Sequence, residues 1–215
     1  MKALPVTPEL LEHVCRWSEP LDEVQRDLVE QTRALGDVAG MQIAPEQAPL
    51  LTLLVHLAQA RRVVEVGTFT GFSSLALLKG LPPDGRLVCF DASQEWTALA
   101  RSAWQRAGVE DRVELRLGDA RTTLRTLADE PPVDLAFVDA DKEGYAEYVE
   151  LLLPHLRTGG LLVLDNTLRG GEVLSPDASG SAGALRALNE QLVADERLEV
   201  VLLPVADGVT LARKR

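Results

Sequence analysis

From Arg62 onward, short apolar runs alternate with longer stretches of helical pattern, and this alternation constrains the fold more than any other feature. Runs at 62–66, 86–91, 112–118, 133–138 and 160–164 read as strands. Helical patterns at 72–80, 94–108, 120–129, 143–157 and 180–196 lie between or after them. Strands joined by helical crossovers are parallel. After Arg197 two further runs, Leu198 to Leu203 and Val209 to Ala212, are separated only by Pro204-Val205-Ala206-Asp207-Gly208. That is too short for a crossover, so the pair is expected as an antiparallel hairpin. The fold class is therefore α/β: a doubly wound, mostly parallel sheet closed by a C-terminal antiparallel hairpin. The first sixty residues read as helices at Glu9 to Trp17, Leu21 to Leu35 and Gln47 to Ala60, broken by Pro20 and by the Gly36 to Pro45 stretch. Leu50, Leu53, Leu54 and Leu57 form a stripe at helical spacing, expected to pack on the sheet.

The 215 residues, 46% of them hydrophobic, suffice for one sizeable core, so 1–215 is read as a single domain with a helical extension over 1–60 and an α/β core over 61–215. A net charge of −11 argues against nucleic acid as a partner, because a phosphate backbone is bound by clustered Lys and Arg. Cys15 and Cys89 are far apart and match no metal or redox spacing; they fit reduced thiols, with Cys89 in the core. No opening run has the pattern of a leader, and no apolar segment approaches the ~20 residues of a spanning helix. A cytoplasmic protein without a membrane partner is the expectation.

Two strands end abruptly in polar residues: Leu135-Ala136-Phe137-Val138 in Asp139-Ala140-Asp141-Lys142, and Leu161-Leu162-Val163-Leu164 in Asp165-Asn166. Ligands of open α/β sheets bind beyond the carboxyl ends of the strands, so Asp139, Asp165 and Asn166 can converge if these strands are neighbours. Two carboxylates and an amide oxygen, with no Cys or His, suit Mg²⁺, Mn²⁺ or Ca²⁺ rather than zinc. The competing reading makes both aspartates helix caps. Upstream, Glu65-Val66-Gly67-Thr68-Phe69-Thr70-Gly71-Phe72-Ser73-Ser74 is a strand, a glycine turn and a helix start. Its Gly-x-x-x-Gly spacing is neither the dinucleotide fingerprint nor a P-loop, and Glu65 would repel a pyrophosphate. A ligand with an ammonium group or hydroxyls fits better. Asp91, ending the second strand, suits ribose hydroxyls and equally a helix cap. Gly118-Asp119-Ala120 can flank an adenine, with a cap again the alternative for Asp119.

Taken in order, these motifs resemble the cation-dependent O-methyltransferases of the caffeoyl-CoA and catechol O-methyltransferase type. Met41-Gln42-Ile43-Ala44-Pro45-Glu46-Gln47 and Leu203-Pro204 through Asp207-Gly208 match the same family, so the likeness spans about residues 38 to 213. The resemblance implies a Rossmann-like methyltransferase sheet binding S-adenosylmethionine. Glu65, Gly67, Thr68 and Ser73 would hold its methionine end, Asp91 its ribose, and Ala120 and Asp141 its adenine and sulfonium side. Ile43 would line the same pocket. It also implies metal ligation by Asp139, Asp165 and Asn166, a homodimer, and a small hydroxylated aromatic substrate.

The expected reaction is methyl transfer to a hydroxyl of a vicinal diol, with a divalent cation favouring the ionised hydroxyl. Lys142 is then the candidate base, its pKa lowered beside the cation; an exposed helix-start lysine is the bland alternative. The acceptor wall departs from the family. Thr167-Leu168-Arg169-Gly170-Gly171 follows Asp165-Asn166 where many relatives carry a bulky aromatic, and Gly144 replaces a common Asn. Arg169 fits an anionic substrate or a solvated loop equally well. Tyr145 and Tyr148 suit either the acceptor site or burial. His13, His56 and His155, and Trp17, Trp96 and Trp104, read as packing or interface residues. The competing functions are a nucleotide-dependent oxidoreductase, weakened by the glycine spacing, and a noncatalytic cofactor-binding module.

Overall fold

The computed structural model describes residues 5–215. Its strands are β1 (Arg62–Val66), β2 (Arg86–Asp91), β3 (Val113–Leu117), β4 (Val133–Val138), β5 (Leu156–Leu164), β6 (Leu198–Leu203) and β7 (Val209–Lys214). They form one sheet in the order β3-β2-β1-β4-β5-β7-β6. Strands β1 to β5 are parallel, whereas β7 runs antiparallel to both β5 and β6. The doubly wound sheet and its closing hairpin are as expected from the alternation of runs.

Period-two alternation along the strands builds two cores. On one face Val63, Leu87, Cys89, Leu135, Phe137 and Val163 pack with Leu28 of α2 (Glu23–Arg33), Leu51 of α3 (Gln47–Leu57), Leu77 of α4 (Phe72–Gly80) and Trp104 of α5 (Gln94–Arg106). On the other face Val64, Val66, Phe90, Ala136, Val138 and Leu164 meet Tyr145 and Leu152 of α7 (Tyr145–Leu152) and Leu185 of α8 (Gly180–Ala194). The chain runs from β1 outward to β3 and then returns to β4 on the other side of β1. That reversal opens a crevice at the carboxyl ends of β1 and β4, the place where such sheets bind ligands.

Four expectations need correction. The helix expected at 120–129 is one short turn, α6 (Ala120–Thr123), followed by a 3₁₀ segment, Leu124–Leu127. Thr123 and Thr126 donate their hydroxyls back to the carbonyls of Asp119 and Thr123, which competes with regular helix. The helix expected at 143–157 begins as a 3₁₀ turn over Lys142–Gly144 and ends at Leu152, because Pro154 lacks the N–H to continue it. Strand β5 accordingly starts at Leu156 rather than 160, with a register slip between the pairs Val133/Leu156 and Leu135/Leu161 that absorbs Gly159 and Gly160. Finally, the leucine stripe of α3 does not face the sheet as a unit: Leu53 and Leu57 are 52% and 71% exposed. The inner face is Ala48, Leu51, Thr52 and Val55 together with Leu54, the buried member of the stripe, with Thr52 Oγ1 donating to the Ala76 carbonyl at 2.8 Å. Gly80 lets α4 approach this face closely: a Cβ there would stand 2.7 Å from both the Thr52 carbonyl oxygen and Val55 Cβ.

The N-terminal helix α1 (Pro8–Arg16) buries none of its residues. Among the described residues no helix is long and apolar enough to cross a membrane.

Candidate active site

The turn after β1 is set by a close approach. Gly67 has φ +88, and a Cβ there would sit 2.0 Å from the Asp139 carbonyl oxygen, so only glycine lets the turn cross the end of β4. Asp91 holds the same turn from β2: its Oδ2 accepts from the backbone N–H of Thr68 and of Phe69, both at 2.8 Å, and its Oδ1 from Ser93 N–H at 2.7 Å. The cap of α5 is Ser93 rather than Asp91. The Asp119 carboxylate, by contrast, does cap α6 through the Arg121 N–H.

Glu65 lies on the α4 face of β1 and is completely buried. One oxygen, Oε2, accepts from Ser74 Oγ at 2.5 Å, Thr68 Oγ1 at 3.1 Å and Cys89 Sγ at 3.2 Å, while Oε1 has no partner among the described residues. Burial pushes its carboxyl up from the usual 4.5 to about 7, against the pull of Ser73, Ser74, Cys89 and Thr68. Between those two values the folded protein keeps a proton that the unfolded chain has released, so this group makes stability fall as pH rises. Glu65→Gln imitates the protonated carboxyl. Denaturant melts should show the variant equal to wild type below pH 4.5 and more stable by up to about 3 kcal/mol above pH 7. A gap independent of pH would refute this account.

At the ends of β4 and β5, Asp139 and Asp165 follow the paired residues Val138 and Leu164, and Asp165 N–H donates to the Val138 carbonyl at 3.1 Å. Asp165 is buried; its Oδ1 accepts from Gln47 Nε2 at 2.8 Å and from the Asn166 N–H at 2.7 Å. Burial, and then the charge of Asp139, push its carboxyl up to about 7. Asp139 Oδ1 accepts from Lys142 Nζ at 2.6 Å. No donor among the described residues reaches Oδ2 of either aspartate. Asn166 adopts φ +58, a conformation Asn tolerates better than most residues. Lys142 Nζ also donates to Tyr145 Oη at 2.9 Å, and that hydroxyl donates onward to the Val138 carbonyl at 3.1 Å. Burial holds the Tyr145 phenol well above its ordinary pKa, so it stays neutral and can fill both roles.

A third group closes the crevice. Arg121 donates to Asp141 Oδ2 at 2.7 Å, lies within 3.3 Å of Glu147 Oε2, and covers the Tyr148 ring at 5.3 Å. Tyr148 Oη donates to the other Asp141 oxygen. A Cβ on Gly144 would stand 2.6 Å from the Arg121 guanidinium and 2.7 Å from both Asp141 Oδ2 and the Tyr148 ring. The Gly144 departure therefore makes room for this cluster.

One open cleft of about 1170 Å³ is lined by Ile43, Gly67, Asp91, Ala120, Asp139, Asp141, Lys142, Asp165 and Asn166. Nine of the residues expected to form the site thus surround a single cavity. Thr68 and Ser73 line only a small adjoining hollow that also touches Gly67 and Asp139. Glu65 lines neither, lying beneath the turn. Gln47, Trp96 and Arg121 also border the cleft or its donors and were not anticipated as site residues. Trp96 meets Phe69 edge to face at 5.2 Å across the cofactor side. Tyr145 and Tyr148 are both buried, in keeping with the burial reading of the pair, and Tyr148 also borders the cleft. Among the described residues no cluster of three or more His, Cys, Asp or Glu forms a metal-binding group. The donor set on offer is two carboxylates with an amide.

The chain is similar to known proteins over nearly its whole length. Residues 16–215 match the model of an O-methyltransferase family. The chain is 39% identical over 185 residues to caffeoyl-CoA O-methyltransferase 2 of Zea mays, covering 81% of this chain and 70% of that protein. Among solved structures, SAH-bound methyltransferase PaMTH1 of Podospora anserina superposes with a TM-score of 0.90 at 30% identity, over 100% of this chain and 99% of the other. O-methyltransferase TomG of Streptomyces achromogenes, involved in tomaymycin synthesis and solved in complex with SAM, gives 0.89 at 33% identity over 96% of each chain. With a matching family model over nearly its whole length and relatives that bind this cofactor, the chain belongs to the S-adenosylmethionine-dependent O-methyltransferases.

Proposed function

We propose that this protein methylates one hydroxyl of a small aromatic acceptor carrying adjacent hydroxyls, and that it does so with a divalent cation. The observation that carries this reading is the meeting of Asp139, Lys142, Asp165 and Asn166 in the cleft that also contains Gly67 and Asp91. The caffeoyl-CoA name of the maize relative supports an aromatic acceptor.

In this reading Asp91 engages the ribose hydroxyls, Ala120 and Asp141 flank the adenine, and Ile43 shields the same ligand from water. Gly67, Thr68 and Ser73, with Glu65 beneath them, form the end of the site that receives the methionine ammonium; Glu65, sealed under the turn, acts on that end through the Thr68 and Ser74 hydroxyls it accepts from. Asp139, Asp165 and Asn166 would hold Mg²⁺, Mn²⁺ or Ca²⁺, since their oxygens suit a hard cation and each carboxylate keeps an oxygen free of protein donors. Such a cation supplies positive charge that stabilises the acceptor oxygen as its proton leaves. Lys142 in its neutral amine form would receive that proton on the Nζ lone pair, its two N–H groups directed at Asp139 Oδ1 and the Tyr145 hydroxyl. The oxygen then bonds to the methyl carbon while the carbon–sulfur bond breaks, leaving a neutral thioether. Close, in-line positioning of these two atoms by the walls of the cleft contributes much of the acceleration.

The test is a transfer assay with S-adenosylmethionine and a panel of catechols, run with Mg²⁺ and with chelator. Methylated catechol that disappears in chelator is the expected result. Equal rates in both conditions would overturn the cation, and no methylated catechol despite cofactor binding would overturn the acceptor class.

A further inference from the structure

We propose that Arg169 forms an anion subsite on the acceptor side of the cleft, so that the preferred acceptor carries a carboxylate remote from its hydroxyls. The inference rests on the acceptor class proposed above.

Three basic side chains line the cleft: Arg121, Lys142 and Arg169. Arg121 is engaged by Asp141, Asp119 and Glu147, and Lys142 by Asp139. Arg169 has no acidic partner and no side-chain hydrogen bond among the described residues. It therefore offers a whole guanidinium fork, the group best shaped to take a carboxylate through two parallel hydrogen bonds.

Its backbone, by contrast, is held firmly. Arg169 sits at φ +47, a left-handed conformation uncommon for a long side chain, and its N–H donates to the Asn166 carbonyl at 3.1 Å. On either side, Leu168 N–H donates to the Asp207 carbonyl at 2.9 Å, Thr167 N–H to the Gly208 carbonyl at 3.0 Å, and Gly170 N–H to the Asp207 carboxylate. The hairpin turn between β6 and β7 thus clamps the loop that begins at Asn166. Strained backbone retained by surrounding bonds is a mark of functional loops. Here its effect is to keep the Arg169 backbone at a set offset from the Asn166 end of the site, within reach of the cleft its side chain lines.

Charge gives the subsite a purpose. At a net charge of −11 the protein repels an anionic acceptor at long range, so such a molecule needs a local cation to bind. An arginine on the cleft wall with no partner among the described residues is that cation.

Caffeate, its methyl ester and caffeoyl-CoA share one catechol and differ in charge. Their binding by calorimetry, with S-adenosylhomocysteine and Mg²⁺ present, and their methylation rates would be measured on wild type, Arg169→Glu and Arg169→Lys. Wild type should prefer caffeate to the ester. Arg169→Glu should lower that preference roughly tenfold, about the worth of one charge-assisted hydrogen bond, and Arg169→Lys should restore part of it. An effect confined to caffeoyl-CoA would assign the subsite to phosphate rather than carboxylate. An unchanged acid-to-ester preference in Arg169→Glu, with wild type methylating both, would overturn the subsite alone. Failure of wild type to bind or methylate any of the three would overturn the acceptor class and the subsite with it. Melting temperatures of the variants should match wild type, because Arg169 is exposed and its side chain makes no hydrogen bond or ion pair among the described residues.

Discussion

Methyl transfer by an Asp165→Asn variant should fall roughly a thousandfold, the scale of losing a central electrostatic element of an active site. Asparagine is the informative replacement because it retains an oxygen for the Gln47 amide and the Asn166 N–H, both of which bond to Asp165 Oδ1. Alanine would strand a buried Gln47 donor and confuse a folding defect with a catalytic one. The carboxylate is itself held against its preference, with burial and Asp139 pushing its pKa to about 7. Removing the charge should leave the melting temperature of the metal-free protein unchanged or higher at pH 8. Isothermal titration with Mg²⁺ or Mn²⁺ should show weakened binding alongside the lost turnover. Wild-type rates from Asp165→Asn would remove it from the mechanism, and lost turnover with undiminished cation affinity would remove it as a ligand.

Lys142→Met should lower kcat by about two to four orders of magnitude, the usual contribution of a positioned proton acceptor. Methionine is close in length and apolar, and it leaves Tyr145 its bond to the Val138 carbonyl. The dissociation constant for S-adenosylhomocysteine should change little, because Lys142 Nζ bonds to Asp139 and Tyr145 and to none of the residues proposed to hold that ligand. A KM that rises while kcat holds would make Lys142 a binding residue instead. One complication is built into the structure. Asp139 is both the partner of Lys142 and a candidate cation donor, so Asp139→Asn should damage cation binding and proton transfer together. The Lys142 variant separates the two.

The strand ends were legible because a buried parallel strand announces itself as an apolar run, and a polar residue directly after it must emerge at the carboxyl edge of the sheet. Asp91, Asp139 and Asp165 all satisfy that rule, and all three line the cleft. The glycine turn was equally legible, although the reason for Gly67 became visible only when the Asp139 carbonyl was found 2.0 Å from where its Cβ would be. Gln47 gave no comparable signal. It lies within a helix whose composition reads as ordinary amphipathic packing, and its contact with Asp165 depends on where α3 settles against the sheet. Arg121 gave no signal for the same reason, and Trp96 reads from sequence only as a packing or interface residue, each being one polar or aromatic residue near a helix start.

By itself, then, the amino-acid order determined the sheet class, the antiparallel closure and the acids at the strand ends, because strand periodicity and crossover length are local properties of the chain. Tertiary structure decided which face of α3 is buried, that Glu65 sits beneath its turn rather than in the cleft, and that Lys142 and Arg121 are paired while Arg169 has no partner among the described residues. Those outcomes depend on the approach of elements distant in sequence. A pattern of residue types records whether a side chain prefers burial or charge, but the partner that satisfies it is chosen only when separate elements pack.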